Sequence, residues 1–558
     1  MRFENGLAEK WLGWEKLIDD QLDGTARGAI SWTNVYGNLN VAIGTNTKLY
    51  AITGGDLLND ITPIRDTGTL GSDPFETTDG STEVIVTDTA HGCLIGDTVE
   101  FSGATATGGI TIDGTYLVSS VPSANSFTID HTSAATSDSN GGGSSVVYSY
   151  RLNIGNVGTI SGLGWSSGAW GQGTWSTPRS DGLSIELRVW SLSEYGNDLL
   201  ASPSLNTLYL WEEATDTEAE AVSNAPSSIR SMFITGERFI IALGTSTPMT
   251  MQWPDRDDLT DWTPSAANTA NSRALQHGSK LMCGASLADA LNLIWTDRGL
   301  YSMQYTGSDL IYDTRLAGTE CGIIGPLAFV VVSGTAFWMS GRQFYMYSGG
   351  VGEIPNDNDV SDFVFDDMDP EQTEKIWAEY DPYGRQVRWH YCSLGSTEPD
   401  KYVDVSLDGA YSWTTGTLSR TTGCSYRPSD ASTLLVSDDG YVYEHNTGRN
   451  DDGAAMEAYI TYGEYVLTRG KNNVDITGII PDFERQSEDI TVEVFTKERP
   501  NSQSYLDTQT VTLSEGEEIE DLRVEGRHFS MKITSNAING DFRLGIMSLE
   551  LGGSGERR

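Results

Sequence analysis

Apolar and polar residues alternate in short stretches along most of this chain, and the stretches come in pairs separated by a tight polar turn. The pattern is an apolar strand, a turn, then a second strand centred on an aromatic. It reads VAIGTNTKLYAI from Val41, LLASPSLNTLYLW from Leu199, IIALGTSTPMTMQW from Ile240, LIWTDRGLYSMQY from Leu293, AFWMSGRQFYMYSG from Ala336 and LLVSDDGYVYEH from Leu434. A related hairpin with a longer turn, DPYGRQVRWHY, spans residues 381–391. Alternation on both sides of a Gly- or Asn-bearing turn is the mark of a β-hairpin with one buried face. The turns at Ser204, Ser246, Arg298, Gly341 and Gly384 stand roughly 40 to 50 residues apart, the span of a four-stranded propeller blade. One hairpin cannot bury its own face, so the blades must close on one another. Six or seven blades are expected, with the N-terminal copy completing the ring.

Three segments depart from this period. Residues 76–150 lack aromatic-centred hairpins, but residues 81–104 and 109–131 alternate cleanly over at least four strands, and a Ser/Gly-rich exit follows. This predicts a small β-barrel or sandwich grafted onto a propeller loop, where insertions are tolerated. Residues 158–180 then carry Trp165, Trp170 and Trp175 at five-residue intervals, which suit neither one strand face nor one helix face. A Gly/Trp-rich arm packing on a neighbouring subunit is preferred there over a sugar-stacking loop. From Met456 onward, successive strands read as a β-sandwich. The expected class is therefore all-β: an N-terminal arm and first blade in 1–75, the insert in 76–150, the remaining blades in 151–455, a sandwich in 456–552 and a polar tail in 553–558.

Composition agrees, since Gly (61), Tyr (24) and Trp (15) are plentiful and helix-forming runs are scarce. Charge adds something the pattern does not. With 78 acidic and 35 basic residues the net is −43, and between Arg65 and Arg151 eleven acids occur without a single Lys or Arg. Such a surface repels phosphate backbones, which excludes tight nucleic-acid binding. It is read either as a device for solubility or as a wall past which DNA slides without sticking. The five cysteines, Cys93, Cys283, Cys321, Cys392 and Cys424, lie far apart and form no CxxC pair, so they are expected as buried thiols of a protein made in a reducing cytosol. The N-terminal residues lack the apolar core of a secretion signal, and no apolar run approaches a membrane span, so no membrane insertion is expected.

Candidate chemistry is sparse. HExxH and Walker patterns are absent, and no GxSxG elbow between a strand and a helix is read. The six histidines, His91, His131, His277, His390, His445 and His528, are isolated in sequence and read as surface or strand residues. The acidic run of residues 357–369 has Asp362 where a calcium loop needs Gly, and Val364 and Phe365 break its ligand series, so a strand-to-helix connection is expected. SLDGAYSW (residues 406–413) approaches the S-x-D-x-G-x-x-W turn of sialidase-like propellers with its Gly displaced by one position. Glycoside hydrolysis would need a suitably spaced carboxylate pair, which composition alone cannot identify in so acidic a chain. No catalytic, cofactor-binding or metal-binding residues are assigned, and the chain is not expected to be an enzyme.

Several stretches, taken in order, resemble the tail hub or nozzle proteins of short-tailed bacteriophages, which are similar to packaged-DNA stabilisation proteins. They are residues 48–65, 89–130, the Gly/Trp arm followed by 186–212, 360–391 and 524–551. The resemblance implies a virion protein assembled in the host cytoplasm. It implies a homo-oligomer, a hexameric ring below the portal and adaptor proteins, in contact with tail fibre, spike or needle proteins. The axial channel of that ring would retain packaged DNA and conduct it during ejection without binding it specifically. The alternative is a host-recognition or carbohydrate-binding propeller of a tail spike or fibre.

Overall fold

A computed structural model of the chain describes all residues except 5, 160–185, 289, 308–310, 357, 410, 428, 467–472, 500–501, 503 and 553–558. The Gly/Trp-rich arm with Trp165, Trp170 and Trp175, and the polar tail, thus lie outside the described residues. The fold is all-β. Seven four-stranded antiparallel sheets form the blades of a propeller among the described residues. They occupy residues 26–60, 190–221, 231–274, 281–319, 329–353, 377–417 and 422–445, the last completed by Trp14–Lys16 as its outermost strand.

Each aromatic-centred hairpin recognised in the sequence forms part of one blade. Leu39–Thr45 pairs with Leu49–Thr53, for example, and Leu291–Thr296 with Gly299–Tyr305. Burial on both faces makes many of these central strands nearly continuous apolar runs, as in Ile240–Leu243 and Thr335–Met339. The tryptophans explain how blades are held side by side. A buried indole N–H requires an acceptor. Trp190 Nε1 donates to Thr45 O at 2.7 Å, Trp338 Nε1 to Cys321 O at 2.9 Å, Trp389 Nε1 to Ala328 O at 3.2 Å and Trp377 Nε1 to Arg420 O at 2.9 Å. The first joins the second blade to the first, and the other three tie a blade to a segment connecting two blades. Close approach of this kind needs glycine opposite the ring: a Cβ on Gly44 would stand 2.2 Å from Trp190, and one on Gly284 2.3 Å from Phe233.

The chain divides at three places differently from the expected boundaries. The inserted unit is an eight-stranded sheet running from Ile64–Thr69 to Val147–Arg151, so it begins before residue 76. Ile61 and Leu152 bracket it, both buried in the core between the first two blades. Residues 64–69 carry no apolar alternation that marks which unit they join, and their pairing with Val147–Arg151 assigns them to the insert. Secondly, Arg2–Glu4 and Leu7–Glu9 do not belong to the first blade. They join Asp541–Leu544 and Phe483–Ser487 in one sheet of the C-terminal unit. Thirdly, Trp14–Lys16 belongs to the seventh blade, where it pairs with Val442–His445. Two-residue periodicity names a strand but not its partner.

The C-terminal unit is a β-sandwich. Ile490–Lys497 and His528–Ser535 alternate strictly between buried and half-buried positions, and their inner faces meet Ile476, Ile479, Leu522 and Val524 of the facing sheet. A ten-residue helix, Asn358–Asp367, follows the fifth blade where the acidic run predicts a strand-to-helix connection. No helix among the described residues is long and apolar enough to cross a membrane.

Candidate functional site: axial cavity, charge distribution and a buried ion cluster

The innermost strand of every blade faces the propeller axis, and together they enclose a cavity of about 700 Å³. Its wall mixes small and hydroxyl-bearing residues such as Gly28, Ser31, Thr235 and Ser286 with apolar ones such as Phe233 and Trp377, and Glu194 is the one carboxylate or cationic side chain that lines it among those described. A B-form duplex, roughly 20 Å across, sweeps out about 3,000 Å³ for every 10 Å of its length. The propeller axis is therefore far too narrow for DNA.

Charge is sorted by depth. Among the described residues six basic side chains are buried (Arg2, Lys10, Arg27, Lys375, Arg388 and Arg420), out of 35 in the chain. Six acids are also buried, but out of 78. Arginines and lysines are drawn inward as ties between elements: Arg27 to Glu398, Lys375 to Glu398 at 3.2 Å, Arg151 to Glu218 at 2.8 Å, Arg230 to Glu186. Glu9 and Asp541 gather Arg2, Arg449 and Arg485 where the N-terminal strands meet the sandwich. The buried charges described balance, six against six, so the whole excess of carboxylates stays outside the core. In the insert, Asp66, Asp73, Glu76, Asp79, Glu83, Asp113, Asp130 and Asp138 are all exposed.

The most concentrated ionic group lies in the sixth blade, at its border with the seventh. Gln386–Tyr391 is wholly buried between Trp377–Asp381 and Lys401–Ser406, and the register sets Arg388 opposite both Glu379 and Asp404. Arg388 donates to Glu379 Oε1 at 3.1 Å and to Asp404 Oδ2 at 3.5 Å. Its guanidinium also lies over the rings of Trp11 and Tyr402, at 4.3 and 4.6 Å. His390 stacks on Trp377 at 4.1 Å and shares a hydrogen bond with Glu379 at 3.2 Å. Asp381 accepts from Asn446 Nδ2 at 2.7 Å, and Asp404 accepts from Thr414.

Burial tunes these groups in different directions. It pushes Asp404 up to about 6, against the pull of Arg388, and raises Asp381. It drives His390 down to about 4 and His445 well below its usual value. Burial also works to raise Glu379, but the hydrogen bond from His390 and the charge of Arg388 outweigh it and hold the carboxyl below its ordinary range. A cavity of about 100 Å³ adjoins the cluster, lined by Trp11, Trp14, Asp381, Arg388, Tyr402 and His445 among others.

Of the six histidines scattered in sequence, His277 precedes the fourth blade and His528 opens a sandwich strand, and the other four fall into two pairs. His390 and His445 come together in this buried region, whereas His91 and His131 lie in the insert, His91 accepting from Cys93 N through Nδ1. Among the described residues no three His, Cys, Asp or Glu side chains are grouped to hold a metal ion. All five cysteines are free; four are buried and Cys424 is half-buried, and burial raises the thiol of Cys392 to about 12. SLDGAYSW forms the hairpin between Lys401–Ser406 and Trp413–Thr417, with Trp413 Nε1 donating to Pro355 O at 2.9 Å. Periodicity does not reveal the ion cluster. Its one trace in the sequence is that Glu379, Arg388, His390 and Asp404 interrupt otherwise apolar strand positions.

No family model matches the chain and no curated protein is similar to it. Among solved structures it is similar to a computationally designed protein at 9% identity and a TM-score of 0.34, covering 77% of this chain and 99% of that one. It is also similar to the extracellular domain of a putative hybrid two-component system protein of B. thetaiotaomicron, at 10% identity and a TM-score of 0.34 over 94% of this chain and 72% of that one. A third similar structure is the phage phi92 endosialidase, at 10% identity and a TM-score of 0.18, covering 79% of this chain and 57% of that one.

Proposed function

We propose that this chain is a structural subunit of the tail of a short-tailed bacteriophage, a nozzle or hub protein whose copies form a ring around the path of the packaged DNA. The observation that carries this reading is the acidic surface: buried basic and acidic side chains balance among the described residues, so the excess of carboxylates over cations is left outside the core. Negative walls raise the energy of a nearby phosphate backbone, so a duplex passing them is kept off the surface and is not trapped by ion pairs. The ordered resemblance of five sequence segments to nozzle and hub proteins supports the same reading. Because the propeller axis is too narrow for a duplex, the path lies between copies, in the lumen of a ring. Such a ring closes through head-to-tail contacts between identical subunits, six in number by the resemblance. The ring stacks on adaptor and portal proteins, holds fibre, spike or needle proteins, and has no catalytic role.

Imaging of assembled particles tests the reading. A six-fold ring on the tail axis is expected, with genome loss from particles that lack the protein and negligible duplex binding by the isolated chain at physiological salt. Because acidic subunits repel one another, ring formation in solution strengthens as salt rises. A trimer at the tip of a fibre would establish the host-recognition alternative instead, and submicromolar duplex binding would overturn the non-adhesive wall.

A further inference from the structure

The propeller ring is fastened by a strand more than 400 residues away in sequence from its partner. Trp14–Lys16 meets Val442–His445 through three pairs only, Trp14 with His445, Glu15 with Glu444 and Lys16 with Tyr443. So short an edge strand is weak by itself, and its side chains supply the remaining hold. Trp14 stacks on the His445 ring at 4.9 Å. Arg420 lies over Trp14 at 5.1 Å and over Tyr443 at 4.6 Å. Trp14 Nε1 donates to Asp451 Oδ1 at 2.6 Å. Arg420 Nε faces His445 Nε2 at 3.1 Å. A guanidinium has only protons to give, so His445 Nε2 must present its lone pair, and the imidazole is neutral.

We infer that His445, Arg420 and Trp14 form an acid-sensitive clasp in the seventh blade, where the N-terminal strand closes the ring. A proton on His445 Nε2 removes the only acceptor it offers Arg420 and sets two cations side by side in a buried place. The stacked Trp14 and its strand are then released. Surrounding groups reinforce this bias. On the sixth blade Arg388 adds to the positive potential at His445 while His390 is itself held neutral, and Asp381 is engaged by Asn446 and Glu379 by Arg388 and His390. Asp404 is tied to Arg388 and Thr414. Asp438, Asp439 and Asp451 act on Arg420 and favour its charge, and Glu457 lines the adjoining cavity. None of these carboxylates is hydrogen-bonded to the His445 ring among the described contacts. Burial and the nearby cations hold His445 neutral while the clasp is shut. The same N-terminal stretch also supplies Arg2–Glu4 and Leu7–Glu9 to the sandwich, so release loosens the tie between sandwich and propeller as well.

Hydrogen exchange of the full chain at pH 7.5 and pH 5, corrected for the intrinsic rate, tests the clasp. One histidine that titrates near 6.5 only when released raises the opening constant about thirtyfold at pH 5. Peptides covering residues 13–16 and 442–445 are expected to lose protection by that factor, with residues 293–296 of the fourth blade unchanged. His445→Gln, whose amide oxygen accepts from Arg420 at any pH, should remove the acid dependence. Should that variant not fold, Lys16→Cys with Tyr443→Cys, oxidised to lock the strand, should remove it in the native His445 background. Equal protection of the wild type at both pH values, parallel opening of the fourth blade, or acid-dependent opening that survives in His445→Gln or the locked strand would overturn the inference.

Discussion

The insert and the sixth blade are both antiparallel sheets with buried central strands, yet they are stabilised in opposite ways. The insert's core is assembled from its own neighbourhood: Phe75, Val84, Val99, Phe101, Phe127 and Tyr150 close on one another within a single stretch of chain. Phe101 and Phe127 lie 6.5 Å apart, and Tyr150 meets Phe127 edge-on at 5.9 Å. The sixth blade instead encloses Glu379, Arg388, His390 and Asp404, and it depends on Trp11 and on the seventh blade to cover them. An apolar core tolerates isolation. A buried ion cluster depends on every partner remaining in place, because a lone charge left in an apolar setting loses its solvation without compensation.

That contrast is easiest to break at Arg388. Its replacement by Ala leaves Glu379 and Asp404 buried without their cation, and a loss of about 4 kcal/mol in denaturant unfolding of the propeller is expected. Adding Glu379→Gln and Asp404→Asn to an Arg388→Met variant should restore much of it; no recovery would show that packing over Trp11 and Tyr402, not charge, is what Arg388 supplies. In the insert, Phe127→Ala should cost about 3 kcal/mol. The loss should be local: a separate early transition for residues 64–151, with the propeller transition unmoved. A single shared transition would mean the two regions are one cooperative unit.

Acid should weaken the blades while sparing the insert. His390 is held neutral, at about 4, and His445 still lower, so the unfolded chain takes up protons that the fold refuses, and stability is lost as pH falls below about 6.5. Asp404, raised to about 6, acts the other way: the fold binds its proton first, so it returns stability between about pH 6 and 4. Asp381, also raised, acts in the same sense as Asp404, and the two histidines outweigh both carboxylates, leaving a net loss on the order of 1 kcal/mol at pH 5 relative to pH 7. Denaturant titrations at the two pH values check this, and a gain at pH 5 would contradict it. The smallest effect belongs to the half-buried tie between the insert and the second blade. Arg151→Ala, which removes the 2.8 Å contact to Glu218, should change stability by less than about 1 kcal/mol.

Much of this architecture is legible in the residues themselves. Every aromatic-centred hairpin read from the sequence falls in a blade, whereas most of the acidic run read as a connection to a helix is itself the helix Asn358–Asp367. The strict alternation of Ile490–Lys497 marks a sandwich strand before any partner is known. Such features are local: a two-residue period and a turn residue act within a few positions of one another, and chain chemistry alone fixes them. What tertiary structure alone decides is pairing across long separations. Whether Ile64–Thr69 extends the first blade or opens the insert depends on Val147–Arg151. That Trp14 should fasten onto His445, or that Glu379, Arg388 and Asp404 should share one buried site, is written in no period or spacing. The physical reason is that an isolated polar residue in a strand looks the same whether it faces water or an opposite charge. Only the closing of the ring, which brings the seventh blade against the first and the N-terminal strand across it, removes the water and makes those charges depend on one another.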